Sequence, residues 1–505
     1  MTALRSRPHG TRVRHRRQAG PALMAALLAL VSFAGVALSA PSNGDELLKD
    51  EKHRLAQAKK EFEGGNKGGS ALNMIKIGRH ALGGRGFNAD VWEHEDYAYV
   101  GHWGFTDWAS GNTRFCPSDP KNGVAVVDAR DPAAPRMVSR LKNPAGTSAE
   151  DVVVFQARFG PLAGRDIAVA GIQVCGGSRY DMDFKRGTML WDVTNPAAPV
   201  ELALLNSGCC TRGVHELEVQ HRADLSRTFV YESVPASEYP DAETSSGRRD
   251  ELGRGDFRLV DITNPAAPFE VSSWGVLRNA SQGVTPDPGQ GCDPDGIYGH
   301  SAEPSANGKL VFLSWWDTGF IAVDVTNPAN PIYRGRTVYP DNADGDAHSS
   351  AYDEARKLLF TADEDFCKAS GAGIEKGFGY LRVYDYSIKS APRQISRFRT
   401  PNSSGTTNIS AGDYTIHNPM LHGTDVYISW YSDGVRVVDT SDPFRPREVA
   451  YFVPPAFQNV VKPSQRGVLS NTTQVWGVAV DEDNDLVFAS DMNSGLWILQ
   501  RTDMH

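Results

Sequence analysis

The sequence predicts an all-β fold, a seven-bladed β-propeller of four-stranded antiparallel blades. Three observations support this prediction. A short apolar run recurs seven times, five of its copies are followed by the same proline-containing turn, and β-rich segments precede each copy. A fixed period of this kind is typical of a repeat architecture, and the β-rich composition indicates that each repeat forms a small sheet.

The recurring run is predicted to be the third strand of each blade. Its last residues lie 54 to 69 residues apart, and six copies end in Asp whereas Gln500 ends the seventh. Because Asp or Asn before Pro starts a turn, the segment after the run ends the strand. The seven copies are residues 124–128, 188–192, 257–261, 320–324, 381–385, 435–439 and 496–500. The proline-containing turns are residues 128–135, 192–199, 261–268, 324–331 and 439–446.

The other strands of each blade flank this run. A first strand and a hairpin turn come before the second strand, and a fourth strand follows the proline-containing turn, as at 136–141. Four strands per repeat, with a period of about 60 residues, are typical of a propeller blade. The second strands are predicted at 97–100, 167–170, 229–231, 310–314, 358–361, 426–430 and 486–489.

The two ends of the predicted ring complement each other. The seventh repeat ends after its third strand, close to the C-terminal His505, and so lacks a fourth strand. A β-rich segment at 73–78 precedes the first blade and is predicted to supply that strand beside 496–499. This pairing would remove an exposed sheet edge, which promotes aggregation. The sequence therefore predicts one domain over residues 71–505, a ring closed by an N-terminal strand.

The repeat resembles the LVIVD-repeat family of exported bacterial and archaeal proteins. The resemblance rests on the apolar run ending in Asp and on the Asn/Asp-Pro-x-x-Pro turn after it, and it covers roughly residues 85–500. It is weaker at Asp385, where Ile-Lys-Ser replaces the Asn-Pro step, and at Gln500, which replaces Asp. The resemblance implies a β-propeller at or outside the cell surface and implies no particular reaction.

The first 40 residues are predicted to be a secretory signal peptide. Six arginines precede an uncharged apolar run at 22–38, and small residues follow at a suitable cleavage position. The alternative is an uncleaved membrane anchor, since the run approaches the length that spans a bilayer. Residues 41–70 are polar and suit an exposed charged helix followed by a glycine-rich linker.

The net negative charge of the chain argues against anionic binding partners. Removal of the leader changes the formal net charge from −9 to −15, and an acidic surface disfavours nucleic acid and anionic membranes. The mature chain is therefore expected to be secreted or held at the cell surface, to be a monomer, and to have neither a transmembrane domain nor a nucleic-acid partner.

Export to an oxidising compartment predicts disulfide bonds. An even number of cysteines permits three bonds, and none of the spacings matches a zinc knuckle. Neighbouring blades suggest a bond between Cys292 and Cys367, with the others sharing the remaining bonds. The six cysteines are Cys116, Cys175, Cys209, Cys210, Cys292 and Cys367.

The long loops are all predicted to lie on one face of the ring. Loops on a rigid scaffold commonly carry function, so the leading prediction is a secreted or cell-surface propeller that binds an unknown protein or small-molecule ligand there. Trp103 and Trp316 are candidate ligand-binding residues if their rings are exposed, and packing within the fold is the alternative. The loops are residues 103–122, 174–187, 232–255, 276–298, 364–378, 400–414 and 454–473.

Four histidines at equivalent positions in the repeats form the clearest candidate site. Each stands at the start of a predicted first strand, the innermost of its blade, so the four imidazoles are predicted to ring the mouth of the axial channel. Neutral imidazole suits Fe, Cu or Zn, and Glu150 at the matching place in blade 2 could orient one ligand through its second ring nitrogen. Interblade hydrogen bonding is the structural alternative. The histidines are His215, His300, His348 and His417.

This cluster gives the alternative function, a metal-dependent enzyme with a transition-metal cofactor, for which redox chemistry is one option. No catalytic residue is identified. The sequence contains no P-loop, no G-x-G-x-x-G after a strand, no G-x-S-x-G and no HExxH motif.

Overall fold

The structure is a computed structural model that describes most of the chain after residue 68. The predicted signal peptide and nearly all of the predicted 41–70 helix and linker lie outside the described residues. The described residues are 69–84, 86–106, 113–116, 121–177, 183, 185–208, 211–235, 237, 254–286, 297–340, 343, 345–366, 377–404, 412–457, 472–481 and 485–503.

The described part of the chain is built from β-strands. In chain order they are β1 Ser70–Leu72, β2 Met74–His80, β3 Asn88–His94, β4 Tyr97–His102, β5 Phe105–Thr106, β6 Thr113–Phe115, β7 Val124–Asp128, β8 Arg136–Leu141, β9 Thr147–Gln156, β10 Asp166–Val174, β11 Gly187–Asp192, β12 Val200–Asn206, β13 Leu217–Arg222, β14 Arg227–Ser233, β15 Phe257–Asp261, β16 Phe269–Trp274, β17 Gly299–Pro304, β18 Leu310–Trp315, β19 Gly319–Asp324, β20 Ile332–Arg336, β21 Ala347–Asp353, β22 Leu358–Asp363, β23 Leu381–Asp385, β24 Arg393–Phe398, β25 Pro419–His422, β26 Asp425–Ser429, β27 Val435–Asp439, β28 Arg447–Val453, β29 Val475–Asp481, β30 Leu486–Asp491 and β31 Gly495–Arg501. Two short 3-10 helices lie at Ala280–Gln282 and Trp316–Thr318.

The strands form antiparallel sheets in which sequence neighbours pair. Three separate four-stranded sheets follow chain order, β13 to β16, β17 to β20 and β21 to β24. An eight-stranded sheet joins the meander of β3, β4, β7 and β8 to that of β9 to β12 through the pairing of His102 with Ala149. Strands β25 to β28 carry β1 as a fifth strand, and β29 to β31 carry β2. This all-β architecture is consistent with a β-propeller.

The recurring apolar run forms a strand in every repeat, as predicted. It is almost wholly buried, and its terminal aspartates shape the turn that follows, because each accepts a hydrogen bond at 2.8–3.2 Å from the backbone N–H two residues on. Asp385 makes this bond with Ser387 although the Asn-Pro step is missing there. A register shift recurs just before each aspartate and adds twist to the strand.

The N-terminal segment pairs with the last copy of the run, which confirms the predicted pairing. Strand β2 lies antiparallel to β31, from Met74 opposite Arg501 to His80 opposite Leu496. Strand β1 starts at Ser70, the last residue of the predicted linker, and pairs with β28 of the adjacent sheet. The N-terminal segment therefore joins two sheets rather than one.

Apolar side chains between neighbouring sheets form the core. One cluster joins residues of β9 to β11 with Val219, Val230 and Val260 of the next sheet. Another joins Met74 of β2 with residues of β27 and β30. None of the helices among the described residues has the length and apolar character to span a membrane.

Candidate metal centre

The structure brings the four histidines together. His300 and His348 are the second residues of β17 and β21, while His215 and His417 lie two residues before β13 and β25. Each stands at the start of the first strand of its sheet, and each is at most 3% exposed. Residues that are 202 positions apart in the sequence therefore line one buried region.

The four imidazoles form a continuous row. The ring centroids of consecutive histidines lie 4.6 Å, 4.1 Å and 4.4 Å apart, from His215 through His300 and His348 to His417. The Nε2 atoms of His215 and His300 are 3.0 Å apart.

Hydrogen bonds fix the tautomers of three of these histidines. The Nδ1–H of His300 donates to the His348 carbonyl at 3.1 Å, and that of His417 donates to the Trp476 carbonyl at 2.6 Å. The Ser349 hydroxyl donates to the His417 carbonyl at 2.8 Å, so it accepts from His348 Nδ1–H at 3.0 Å. In all three rings the proton is on Nδ1, and the lone pair is on Nε2.

His215 lies in a different setting at the end of the row. The Gln173 side-chain amide donates to His215 Nδ1 at 2.7 Å and to Glu150 Oε2 at 2.8 Å, and Glu150 Oε2 lies 3.2 Å from the same Nδ1. His215 therefore carries its proton on Nε2 and donates it to His300 Nε2. Glu150 stands where the sequence placed it, beside the second nitrogen of a candidate ligand.

Two carboxylates that the sequence analysis missed complete the cluster. Glu216 Oε1 lies 3.8 Å from His300 Nδ1. Glu364 lies between the last two histidines, with Oε2 3.7 Å from His348 Nε2 and Oε1 3.9 Å from His417 Nε2. Two groups, Glu216–His300–His348 and His348–Glu364–His417, each place three ligand atoms within 4.8 Å of one another.

No spacing in the sequence singles out these two carboxylates. Glu216 follows His215 directly, which is a weak signal because acidic residues are common beside strand starts. Glu364 comes after Asp363 at the end of a second strand rather than at the start of a first one. Pairing of β22 with β21 places Glu364 beside His348, and the approach of the next sheet places it beside His417.

Burial keeps the imidazoles neutral. Loss of hydration lowers the pKa of His215 to about 3, and it lowers the pKa values of His300 and His417 well below their ordinary value. The same effect raises the pKa of Glu150 well above its ordinary value. Neutral imidazoles with defined lone pairs are the form in which histidine binds metal ions.

Aromatic rings enclose the cluster. Trp316 lies 5.4 Å from the His300 ring, Trp476 lies 5.4 Å from the His417 ring, and Tyr431 lies 5.2 Å from His417 and donates its hydroxyl proton to Glu364. Trp103 packs on Trp476 at 5.5 Å. The wall is apolar apart from its N–H and O–H groups.

Trp103 and Trp316 are buried, whereas stacking on a ligand requires an exposed ring. Trp103 is 5% exposed and Trp316 is 0% exposed, so neither presents a ring face to solvent as a platform for a sugar or planar ligand. Trp103 packs on Phe87 and Trp476. Trp316 packs on Tyr298 and His300. This is the packing alternative that the sequence left open.

One disulfide bond lies among the described residues. Cys116 and Cys175 are joined, with their Cα atoms 5.2 Å apart, and the bond links the loop after β6 to the end of β10. The remaining cysteines, Cys209, Cys210, Cys292 and Cys367, lie outside the described residues, and their pairing stays a prediction.

Comparison with known proteins identifies the class of repeat. The family model described as the LVIVD repeat matches residues 253–275 and 299–337. This match confirms that the chain carries LVIVD repeats, and the second matched stretch includes His300 and Trp316. No curated protein matches the sequence.

Comparison with solved structures returns a distant match. The crystal structure of Raptor from Chaetomium thermophilum has a TM-score of 0.49 and 12% sequence identity. The similarity covers 95% of this chain and 35% of the Raptor chain, so this protein spans about a third of that length.

Proposed function

We propose that this protein is a metal-binding β-propeller in which one transition-metal ion is held by the Nε2 atoms of His215, His300, His348 and His417. The observation that carries the proposal is the set of hydrogen bonds from Nδ1 of His300, His348 and His417. Such bonds orient metal-binding histidines and fix the tautomer whose Nε2 can bind an ion. His417 supports it further, because its buried Nε2 has no hydrogen-bond partner among the described residues.

The spacing of one pair of nitrogens suits a shared ion. Two imidazole nitrogens that each lie about 2.0–2.1 Å from one ion are about 3 Å apart when they subtend about 90°. The Nε2 atoms of His215 and His300 are 3.0 Å apart. On binding, the proton of His215 would move to Nδ1 and be donated to Glu150 Oε2 at 3.2 Å, which requires the Gln173 amide to turn its N–H group away from Nδ1.

Glu364 is proposed as a further ligand or as a close counter-charge. Its two oxygens face Nε2 of His348 and of His417, and Tyr431 holds one of them by a hydrogen bond. A donor set of imidazoles and one carboxylate suits Fe, Cu or Zn, and it lacks the sulfur ligands typical of purely structural zinc sites. With Fe or Cu, the site would support a metal-dependent redox enzyme.

We propose the seven-bladed closed ring as the frame of this centre. It is supported by seven four-stranded units and by the pairing of β2 with β31. Strands β29 and β3 also approach closely, because a Cβ added to Gly477 would lie 2.0 Å from Asp90 Oδ1. Export to the cell surface or beyond is proposed from the N-terminal leader and is supported by the Cys116–Cys175 bond, because disulfides persist in oxidising compartments.

Binding of a protein or small-molecule ligand on the loop-rich face stays a prediction. Much of that face lies outside the described residues, and the two tryptophans proposed for it are buried. The metal centre is therefore the function that the described residues support best.

Metal analysis tests the proposal. Purified protein is loaded with Fe2+, Cu2+ or Zn2+, passed over a desalting column and analysed for metal. We expect about one ion per chain, and a loss of most of it in His300→Ala and His300→Gln. His422→Ala is the control, because His422 packs on Tyr427 and lies outside the cluster. A wild-type chain without stoichiometric metal, or equal retention by the His300 variants in folded form, contradicts the proposal.

A further inference from the structure

Two buried indole groups border the cluster without using their N–H donors. Nε1 of Trp316 and Nε1 of Trp476 are inaccessible to solvent and have no hydrogen-bond partner among the described residues. The Trp316 ring lies 5.4 Å from His300 and 6.3 Å from His348, and the Trp476 ring lies 5.4 Å from His417. One indole thus borders the middle of the histidine row, and the other borders its end.

Two other tryptophans of the fold satisfy this donor, whereas Trp315 finds no partner for it in the described part of the chain. Trp430 donates to the Tyr414 carbonyl at 2.8 Å, and Trp497 donates to the Ser494 hydroxyl at 2.8 Å. A buried N–H without a partner loses its hydration without compensation, and such groups in a native fold commonly mark a bound water, ion or ligand. A shared acceptor beside the histidines would compensate both Trp316 and Trp476.

We propose that the metal-bound form takes a small anionic ligand on the ion and that the indole N–H groups of Trp316 and Trp476 donate hydrogen bonds to it. The proposal rests on the proposed metal centre and adds the class of its exogenous ligand. The four imidazoles are neutral donors, and Glu364 offsets only one unit of charge, so a divalent ion keeps a net positive charge that favours an anion in a remaining coordination position. The apolar wall admits an acceptor only where an N–H group meets it.

Azide binding to the Cu2+-loaded protein tests this inference. The titration is followed by the azide-to-copper charge-transfer absorption, in the wild type and in Trp316→Phe and Trp476→Phe. Trp315→Phe is the matched control, because Trp315 Nε1 is also buried without a partner among the described residues but its ring packs edge-on against Trp274 at 5.8 Å. Copper content and thermal melting are measured for each protein.

We expect the Kd for azide to rise by at least about ten-fold in Trp316→Phe or Trp476→Phe, since a hydrogen bond to a charged acceptor is worth at least that factor. The control should stay within about two-fold of the wild type. If packing is disturbed, benzothienylalanine at position 316, which keeps the indole shape but lacks the N–H, must give the same weakening.

The outcomes separate the two proposals. Stoichiometric copper with no azide binding, or with equal azide affinity in all variants, overturns the anion site and leaves the metal centre standing. A wild-type protein that takes up no metal overturns both.

Discussion

At the scale of single residues, the cluster depends on where each imidazole proton lies. His300 and His417 donate their Nδ1 protons to backbone carbonyls, which can only accept hydrogen bonds. His348 instead relies on a side chain, the Ser349 hydroxyl, whose own proton goes to the His417 carbonyl. Ser349 therefore links the orientation of two neighbouring histidines, although it lies next to only one of them in the sequence.

Ser349→Ala is expected to weaken metal binding by about 10- to 100-fold, the usual effect of removing a group that orients a metal ligand. Competition with a chelator of known affinity measures the change. Ser350→Ala is the matched control, because Ser350 is equally buried on the same strand and its hydroxyl has no hydrogen-bond partner among the described residues. Equal affinities of the two variants would show that Ser349 does not orient His348.

His221 lies away from the cluster and gives a pH prediction. Burial, reinforced by the charge of Arg158, lowers its pKa to about 4. The unfolded chain takes up this proton below about pH 6.5 while the folded chain stays neutral, so folding stability is lost as the pH falls from 6.5 towards 4.

We expect the wild type to lose about 1–2 kcal/mol more than His221→Gln between pH 7 and pH 5. Urea unfolding of the metal-free proteins at both pH values measures this difference. Identical losses in the two proteins would mean that His221 is protonated in the folded state.

At the scale of elements, the short N-terminal strand β2 contributes to the stability of the last sheet. Strand β2 covers the edge of β31, and its alternating side chains differ in burial. Met74 is 2% exposed and packs in the cluster with residues of β27 and β30, whereas Ile75 is 48% exposed. This pattern follows from strand geometry, since successive side chains point to opposite faces.

Met74→Lys is expected to destabilise the protein by about 3 kcal/mol or more, because it places an unpaired charge in an apolar core. Ile75→Lys, the neighbouring control, should change stability by less than about 0.5 kcal/mol. Thermal and urea unfolding measure both. The packing of β2 on the last sheet is refuted if Met74→Lys unfolds like the wild type.

At the scale of the whole molecule, the disulfide bond joins two units that are already connected by strand pairing. Cys116 and Cys175 are 59 residues apart, and the bond closes a loop that contains β7 to β10. A bond across a loop of this size restricts the unfolded chain strongly.

The double variant Cys116→Ser/Cys175→Ser is expected to lose about 2–4 kcal/mol of stability. Guanidinium unfolding under non-reducing conditions measures the loss, and mass mapping of the oxidised wild type verifies the bond. The expectation fails if the double variant unfolds at the same denaturant concentration as the wild type.

The sequence predicted the periodic part of the structure well and the non-periodic part poorly. Copies of the apolar run and their terminal aspartates recur at a regular period, so their strands, their turns and the four aligned histidines followed from comparison between repeats. Strand β1 belongs to no repeat, and the sequence predicts no strand there; its first residue, Ser70, is the last residue of the predicted linker. Glu216 and Glu364 have no counterpart at matching positions, and strand pairing together with sheet packing places them beside the histidines.

The sequence pattern also did not determine whether the rings of Trp103 and Trp316 are buried. Trp103 and Trp316 end second strands next to predicted loops, which suits either exposure or packing. The Trp316 ring packs on the His300 ring at 5.4 Å, and the Trp103 ring packs on the Trp476 ring at 5.5 Å, so both rings lie inside the fold. The same inward position is what makes the unused indole N–H of Trp316 informative.

X-ray absorption at the metal edge of the loaded protein tests the metal centre most directly. We expect three or four imidazole nitrogens at about 2.0–2.2 Å from a single ion, with multiple scattering from the rings, and the loss of one imidazole in His300→Ala. A first coordination shell made only of water and carboxylate oxygens would contradict the assignment of the four histidines.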